Sequence, residues 1–173
     1  MRHINTLIHP EVLGLINPRT YSRKAARAVV INDDEILLIY TKRYDDYTLP
    51  GGGVDENEPI KEALIRELHE ETGAKNIEIV SEFGIYEEYR PYHYEAYDQM
   101  HMLSHIYVCS IDKELGEAKP ESYEVTNGSI PVWVKLIDAI KHNEAIIESS
   151  PKSMGLSVLR ELELFKLIKS DLL

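Results

Sequence analysis

The chain has 173 residues, 43% of them apolar and 28% charged, with one cysteine, Cys109. At roughly 150 residues per domain this is a single domain able to hold a core without metal or disulfide staples, and the lone cysteine excludes a disulfide framework and fits a reducing compartment. A net charge of −11 argues against a nucleic-acid polymer as partner, and no apolar run nears the ~20 residues of a membrane span or forms an unbroken signal-peptide core, so a soluble, cytoplasmic protein with no membrane partner is expected.

In chain order, residues 1–22 read as an N-terminal extension ahead of a domain over 23–173. Ile4, Leu7, Ile8, Val12, Leu15 and Ile16 have partly helical spacing, broken by Pro10 and Pro18. Such a segment would pack on the domain or against a second copy in a homodimer. The β-branched runs Ala26–Ile31 and Glu35–Thr41 flank Asn32-Asp33-Asp34, a hairpin turn. Next comes a glycine loop, Leu49-Pro50-Gly51-Gly52-Gly53-Val54, and then a helix opened by Pro59 and closed by Gly73. Ile77–Tyr86, His101–Ile111 and Pro131–Leu136 are predicted strands. Leu136–His142 is a short helix and Gly155–Ser170 a terminal amphipathic one. Strands thus occur both as hairpins and around a helix, which predicts an α/β fold with a mixed sheet covered by helices.

The first helix places its charges badly for its own stability. At ~100° per residue, Ile60, Leu64, Ile65 and Leu68 form the predicted core stripe. Glu67, Glu70 and Glu71 project together from one edge of it. Like charges at i, i+3 and i+4 repel by a few tenths of a kcal/mol per pair, and two of these acids face the negative end of the helix dipole at ~0.3–1 kcal/mol each. An acidic run is ordinarily a solvated face. Beside a glycine loop that leaves carbonyls free, three carboxylates plus a carbonyl form a hard-oxygen site suited to Mg²⁺ or Mn²⁺.

The spacing itself carries a resemblance. Gly52, five residues, Glu58, seven residues, then Arg66-Glu67-Leu68-His69-Glu70-Glu71-Thr72-Gly73-Ala74 resembles the Nudix box, G-x5-E-x7-R-E-U-x-E-E-x-G-U with U a bulky aliphatic. All seven fixed positions agree, and only the last U, here Ala74, is smaller than the pattern. The resemblance implies the Nudix-type α/β/α sandwich. It also implies divalent-metal-dependent pyrophosphohydrolysis of a nucleoside diphosphate linked to another moiety: a nucleotide sugar, ADP-ribose or a nucleoside triphosphate. Carried over by position, Glu67, Glu70 and Glu71 would be metal ligands together with the Gly51 carbonyl. Arg66 would orient the glutamates, with Glu58 as an outer ligand or, preferably, as Arg66's structural partner. Glu67 and Glu70 are catalytic candidates, and the general base would be a box glutamate or an acid of the loop before the last strand, Glu121 or Glu124.

Four cations, Arg23, Arg27, Lys42 and Arg43, sit on the strands leading into the glycine loop and are candidates to meet phosphate. Arg27 alternates with Val29 and Ile31, so its side chain either snorkels past the core or contacts substrate. Five tyrosines, Tyr86, Tyr89, Tyr92, Tyr94 and Tyr97, occur within 86–97 around Arg90, Pro91 and His93. They would stack a base, with Tyr92 the substrate-binding candidate, or pair across a hairpin or a dimer interface. His101 and His105 are expected as satisfied polar residues lining a cleft, and Trp133 as core. Two other functions stay open beside hydrolysis. One is a non-catalytic Nudix-like module that senses a nucleotide. The other is isopentenyl diphosphate isomerisation, for which Cys109 would have to be an activated nucleophile.

Overall fold

The computed structural model describes residues 1–92, 94 and 96–173, so His93 of the tyrosine-rich run lies outside the described residues. The central strand is β2 (Thr20–Asn32), whose Ala25, Ala26, Ala28, Val29 and Val30 are buried on both faces, as a strand covered from two sides must be. A turn at Asp33 and Asp34 leads into β3 (Glu35–Thr41), followed by the short strands β4 (Asp46–Thr48) and β5 (Gly51–Gly53). Helix α1 (Ile60–Thr72) precedes the long hairpin of β6 (Glu78–Pro91) and β7 (Gln99–Ser110). Then come α2 (Ser122–Asn127), β8 (Ser129–Lys135), α3 (Leu136–Ser149) and α4 (Val158–Leu172). With β1 (His3–Ile8) at one edge, the sheet runs β1-β6-β7-β2-β3-β4, while β5 pairs with β2 and β8 with β3. Both parallel and antiparallel pairs occur, so the sheet is mixed.

Each face of the sheet carries its own core. Ala26, Ala28, Val30 and Leu37 pack with Leu64 and Leu68 of α1 on one side, with Trp133 packed against them. Val29, Ile36, Leu38, Phe83, Tyr86 and Ile106 meet α3 and α4 on the other, through Leu136, Ile140, Leu164, Phe165 and Ile168. This is the layered α/β/α arrangement.

Three expectations change. Residues 3–8 form an edge strand parallel to β6, where helical spacing had been expected, because Pro10 ends any helix early and the free edge of β6 satisfies their backbone. On α1 the buried stripe is Ala63, Leu64, Leu68 and Thr72, whereas Ile65 is 41% exposed: one step of ~100° beyond Leu64 carries it out of the contact with the sheet. Helix α3 also runs seven residues past His142, to Ser149, packing on α4. Among the described residues no helix is long and apolar enough to cross a membrane.

Candidate active site

The glycine loop lies against the centre of the sheet. Gly51–Gly53 pair antiparallel with Ala25–Arg27, and Gly51 holds a φ of +127°, where a β-carbon would sit 2.1 Å from the Ala26 carbonyl oxygen. A β-carbon on Gly52 would fall 2.3 Å from the Glu67 carboxylate, so the loop is glycine because α1's acids press directly onto it.

Arg66 organises those acids. Its Nε and Nη2 each donate at 2.9 Å to the two oxygens of Glu58, a fork-on-fork pair, and its Nη1 donates to Glu67 at 2.7 Å and to Glu70 at 3.3 Å. The Arg66 guanidinium, with the Asp55 amide, holds the Glu58 carboxyl down at about 2. Glu58 is thereby Arg66's partner. Glu67 is pushed the other way: burial raises its pKa despite Arg66, and Glu70 adds to the rise. Glu71 turns inward, where its Oε2 accepts the Gly51 N–H at 2.6 Å. Burial raises its pKa well above the usual range, reinforced by a hydrogen bond with Glu124. Among the described residues no three Asp, Glu, His or Cys side chains converge into a ready cage. Arg66 and the Gly51 amide instead hold the acids of α1 on separate partners.

Of the two loop acids, the structure brings Glu124 to Glu71 and leaves Glu121 at the rim. Glu124 is buried at the third position of α2, where its Oε2 accepts the Glu121 N–H at 2.6 Å. Glu121 is exposed and caps the helix in return. Both line a cavity of about 490 Å³ that also receives Glu71, Tyr44, Asp46 and Tyr123. Its basic wall is made of Arg23, Arg27 and Arg90.

The cation candidates divide. Arg27 lines the cavity half-buried, and its Nη1 donates to the carbonyls of Leu49, at 3.2 Å, and Gly51. Its buried Nε has no partner, and burial lowers its pKa. Arg23 lines the cavity beside Gly53. Arg43 does not line it: its Nη1 donates to Asn127 at 3.0 Å while the guanidinium lies over the Tyr44 ring. Lys42 is exposed. Tyr92 is also elsewhere, stacked on Tyr21 at 5.1 Å and, with Pro91, beside Val12, Leu15 and Ile16 of the N-terminal segment. Nor do His101 and His105 line the cavity; they point to the opposite face of β7 from Met102, which does, and His101 pairs with Glu87 at 2.7 Å. Cys109 is buried, which pushes its thiol up to about 12, the reverse of an activated nucleophile.

Arg90 is not among the cation candidates of the sequence, where it stands only as a residue interleaved with the tyrosines. It faces the cavity from β6, its pKa brought down to about 10 by burial. The signal was its period of two with Tyr86 and Glu88, both fully buried, which puts all three on one inward face.

The model of the NUDIX domain matches residues 22–152. The human diphosphoinositol polyphosphate phosphohydrolase NUDT4B is 31% identical over 131 residues, covering 71% of this chain and 66% of that protein. The human diphosphoinositol polyphosphate phosphohydrolase 3-beta is 30% identical over 135 residues, covering 76% and 75%. The chain therefore spans about two thirds of the first relative's length. Among solved structures, a NUDIX hydrolase from Nitrosomonas europaea superposes with a TM-score of 0.59 at 20% identity, over 85% of this chain and 90% of that one. A MutT NUDIX hydrolase from Burkholderia pseudomallei gives 0.51 at 23%, over 83% and 97%. At these identities the likeness speaks for the fold.

Proposed function

This chain belongs to the Nudix hydrolase family, and on that premise we propose that it is a divalent-metal-dependent pyrophosphohydrolase acting on a nucleoside diphosphate linked to another moiety, such as a nucleotide sugar, ADP-ribose or a nucleoside triphosphate. One observation carries the reading: a surplus of carboxylates faces a wall of arginines across a single small cavity. Carboxylates with raised pKa values at one spot are what a site for a cation looks like when protons stand in for it. The donors are all oxygen, which suits Mg²⁺ or Mn²⁺ held by Glu67, Glu70, Glu71 and the Gly51 carbonyl, and that carbonyl keeps a second lone pair beside its bond to Arg27. Bound there, the ion would neutralise phosphoryl charge and lower the pKa of attacking water.

The chain's own residues supply the rest. Arg66 holds Glu67 and Glu70 in place, anchored from behind by Glu58. Arg23, Arg27 and Arg90 bind the diphosphate and keep it from leaving the acids by repulsion. Glu124, buried beside Glu71 in the cavity lining, is the preferred base over Glu121, which is exposed at the rim. Tyr44 and Tyr123 line the same cavity and are the aromatic candidates to meet a base there. The lone buried cysteine supports a cytoplasmic setting.

A second reading is favoured by three arginines on one wall and by the relatives' names: a diphosphoinositol polyphosphate, charged beyond its scissile diphosphate. A panel of nucleoside diphosphate derivatives and one diphosphoinositol polyphosphate, each with and without Mg²⁺, separates the readings: nucleoside monophosphate is the product followed for the former and released orthophosphate for the latter. Turnover of a nucleotide supports the first and of the inositol compound the second. Tight nucleotide binding with no turnover in Mg²⁺ or Mn²⁺ overturns both in favour of a sensing module.

A further inference from the structure

The link between β4 and β5 is Leu49-Pro50, and every polar backbone atom on it and on Gly51 has a specific partner. The Leu49 and Gly51 carbonyls accept from Arg27, the Pro50 carbonyl accepts the Ala28 N–H at 2.9 Å, and the Gly51 N–H goes to Glu71. One donor remains, the Leu49 N–H, in a place closed to water. It donates at 2.9 Å to Oε2 of Glu161, a fully buried carboxylate on α4. Of all these partners, Glu161 alone comes from beyond residues 22–152.

Glu161 is itself held. Arg160 donates to its Oε1 through Nη2 at 2.7 Å and Nε at 3.1 Å, and reaches Oε2 of Glu88 on β6 through Nη1 at 2.7 Å. The other oxygen of Glu88 bonds the buried His9 ring at 2.8 Å. A dry ion network of this kind costs desolvation that a packed apolar cluster would not, so it is a poor device for stability alone. What it does supply is an acceptor fixed in position by bonds on both oxygens, aimed at one amide.

We propose that Glu161 is a positioning residue for the reaction: by fixing the Leu49 amide from α4, it sets where the Gly51 carbonyl and N–H stand, and through the latter the carboxylate of Glu71. This rests on the reading above that Gly51 and Glu71 take part in hydrolysis.

The test removes the charges first, so that loss of the acceptor is seen alone. In an E88Q/R160M background, E161Q keeps an oxygen for the Leu49 amide and E161L does not. The comparison is made between variants whose melting shows them folded. Amide hydrogen exchange of the full chain without metal should be at least about tenfold faster at Gly51 in E161L than in E161Q, since a bond of this kind is worth about a tenfold equilibrium change or more. With Mg²⁺ saturating, kcat should fall about tenfold while KM stays put, the split that a purely structural role would not produce. A folded E161L with the Gly51 exchange rate and kcat of E161Q overturns the proposal. If the background does not fold, E161D in the wild-type chain makes the same comparison, keeping Arg160's charge partner while drawing the carboxylate back by about one bond length. If the wild-type chain hydrolyses nothing, the functional reading fails while the exchange comparison still decides whether Glu161 positions the loop.

Discussion

Two arginines in this molecule are gripped by glutamates, and they serve opposite ends. Arg160 is buried, and so are its partners: Glu88 and Glu161 both grip the guanidinium, and the His9 ring bonds the other oxygen of Glu88. Arg66 is 30% exposed, and its surroundings do not balance: Glu58, Glu67 and Glu70 share it, with Glu71 and Glu124 just behind. In the dry cluster an unpaired charge would cost several kcal/mol, so each carboxylate is bonded on both oxygens. In the half-open one the surplus survives because water and protons can reach it, and a surplus that can be reached is what a cation and an anionic substrate exploit. Arg-on-Glu geometry therefore does not mark a cation site; the number of acids that share the arginine and their access to water do.

The sharpest way to break this contrast is Glu71→Gln. The amide keeps the hydrogen bonds but cannot carry charge, so kcat should drop by at least about a hundredfold. The metal-free protein should melt higher at pH 7.5, because a raised carboxyl pKa means that the fold pays to ionise it. Retained turnover would show that the surplus is not used. Next, Arg160→Met should cost about 3–5 kcal/mol in denaturant unfolding, whereas Arg66→Met should cost no more than about 1 kcal/mol and abolish most Mg²⁺-dependent turnover. If the two swap effects, the division between an interior cluster that supports the fold and positions the glycine loop and a half-open one that holds the cation site is wrong. Arg90→Met should raise KM about tenfold with kcat little changed, by loss of one charge-assisted contact.

A smaller effect separates buried acids with and without a partner. Asp46 has one buried oxygen with no partner, and burial, with Glu161 nearby, pushes its pKa up to about 6. The folded chain thus holds this proton where the unfolded chain, at its ordinary 3.8, has lost it. Stability should fall as pH rises from about 4 through 6, by up to about 3 kcal/mol from this residue. Asp46→Asn should flatten that slope in melts taken from pH 4 to 8; an unchanged slope would place the titration elsewhere. Smallest of all, Tyr92→Ala should leave kcat/KM within about twofold, since Tyr92 stacks outside the cavity.

Local pattern carried a large part of this. The period of α1, the capping position of Gly73, the hairpin at Asp33-Asp34 and the run of β3 all follow from short-range rules, and β3 falls on the expected residues, Glu35–Thr41. The crowding of Glu67, Glu70 and Glu71 was visible because helical spacing alone puts them on one edge. Arg90, Tyr92 and Glu161 were not legible in the same way. The period of two with Tyr86 and Glu88 gives Arg90's face but not that a cavity opens there, and Tyr92 looks like a substrate-stacking residue until it is found against Tyr21 and the N-terminal segment.

From its residues alone, then, this chain determined which side chains share a helix edge, where glycine had to stand, and that acid accumulates beside a glycine loop, because these are matters of periodicity and local conformation. Only the tertiary structure decided which acids lie in water and which in a dry interior, which arginine meets which carboxylate, and that an α4 residue more than a hundred positions away completes the glycine loop's hydrogen bonding. Burial and long-range pairing set charge state and position, and both are properties of packing that a linear pattern does not contain.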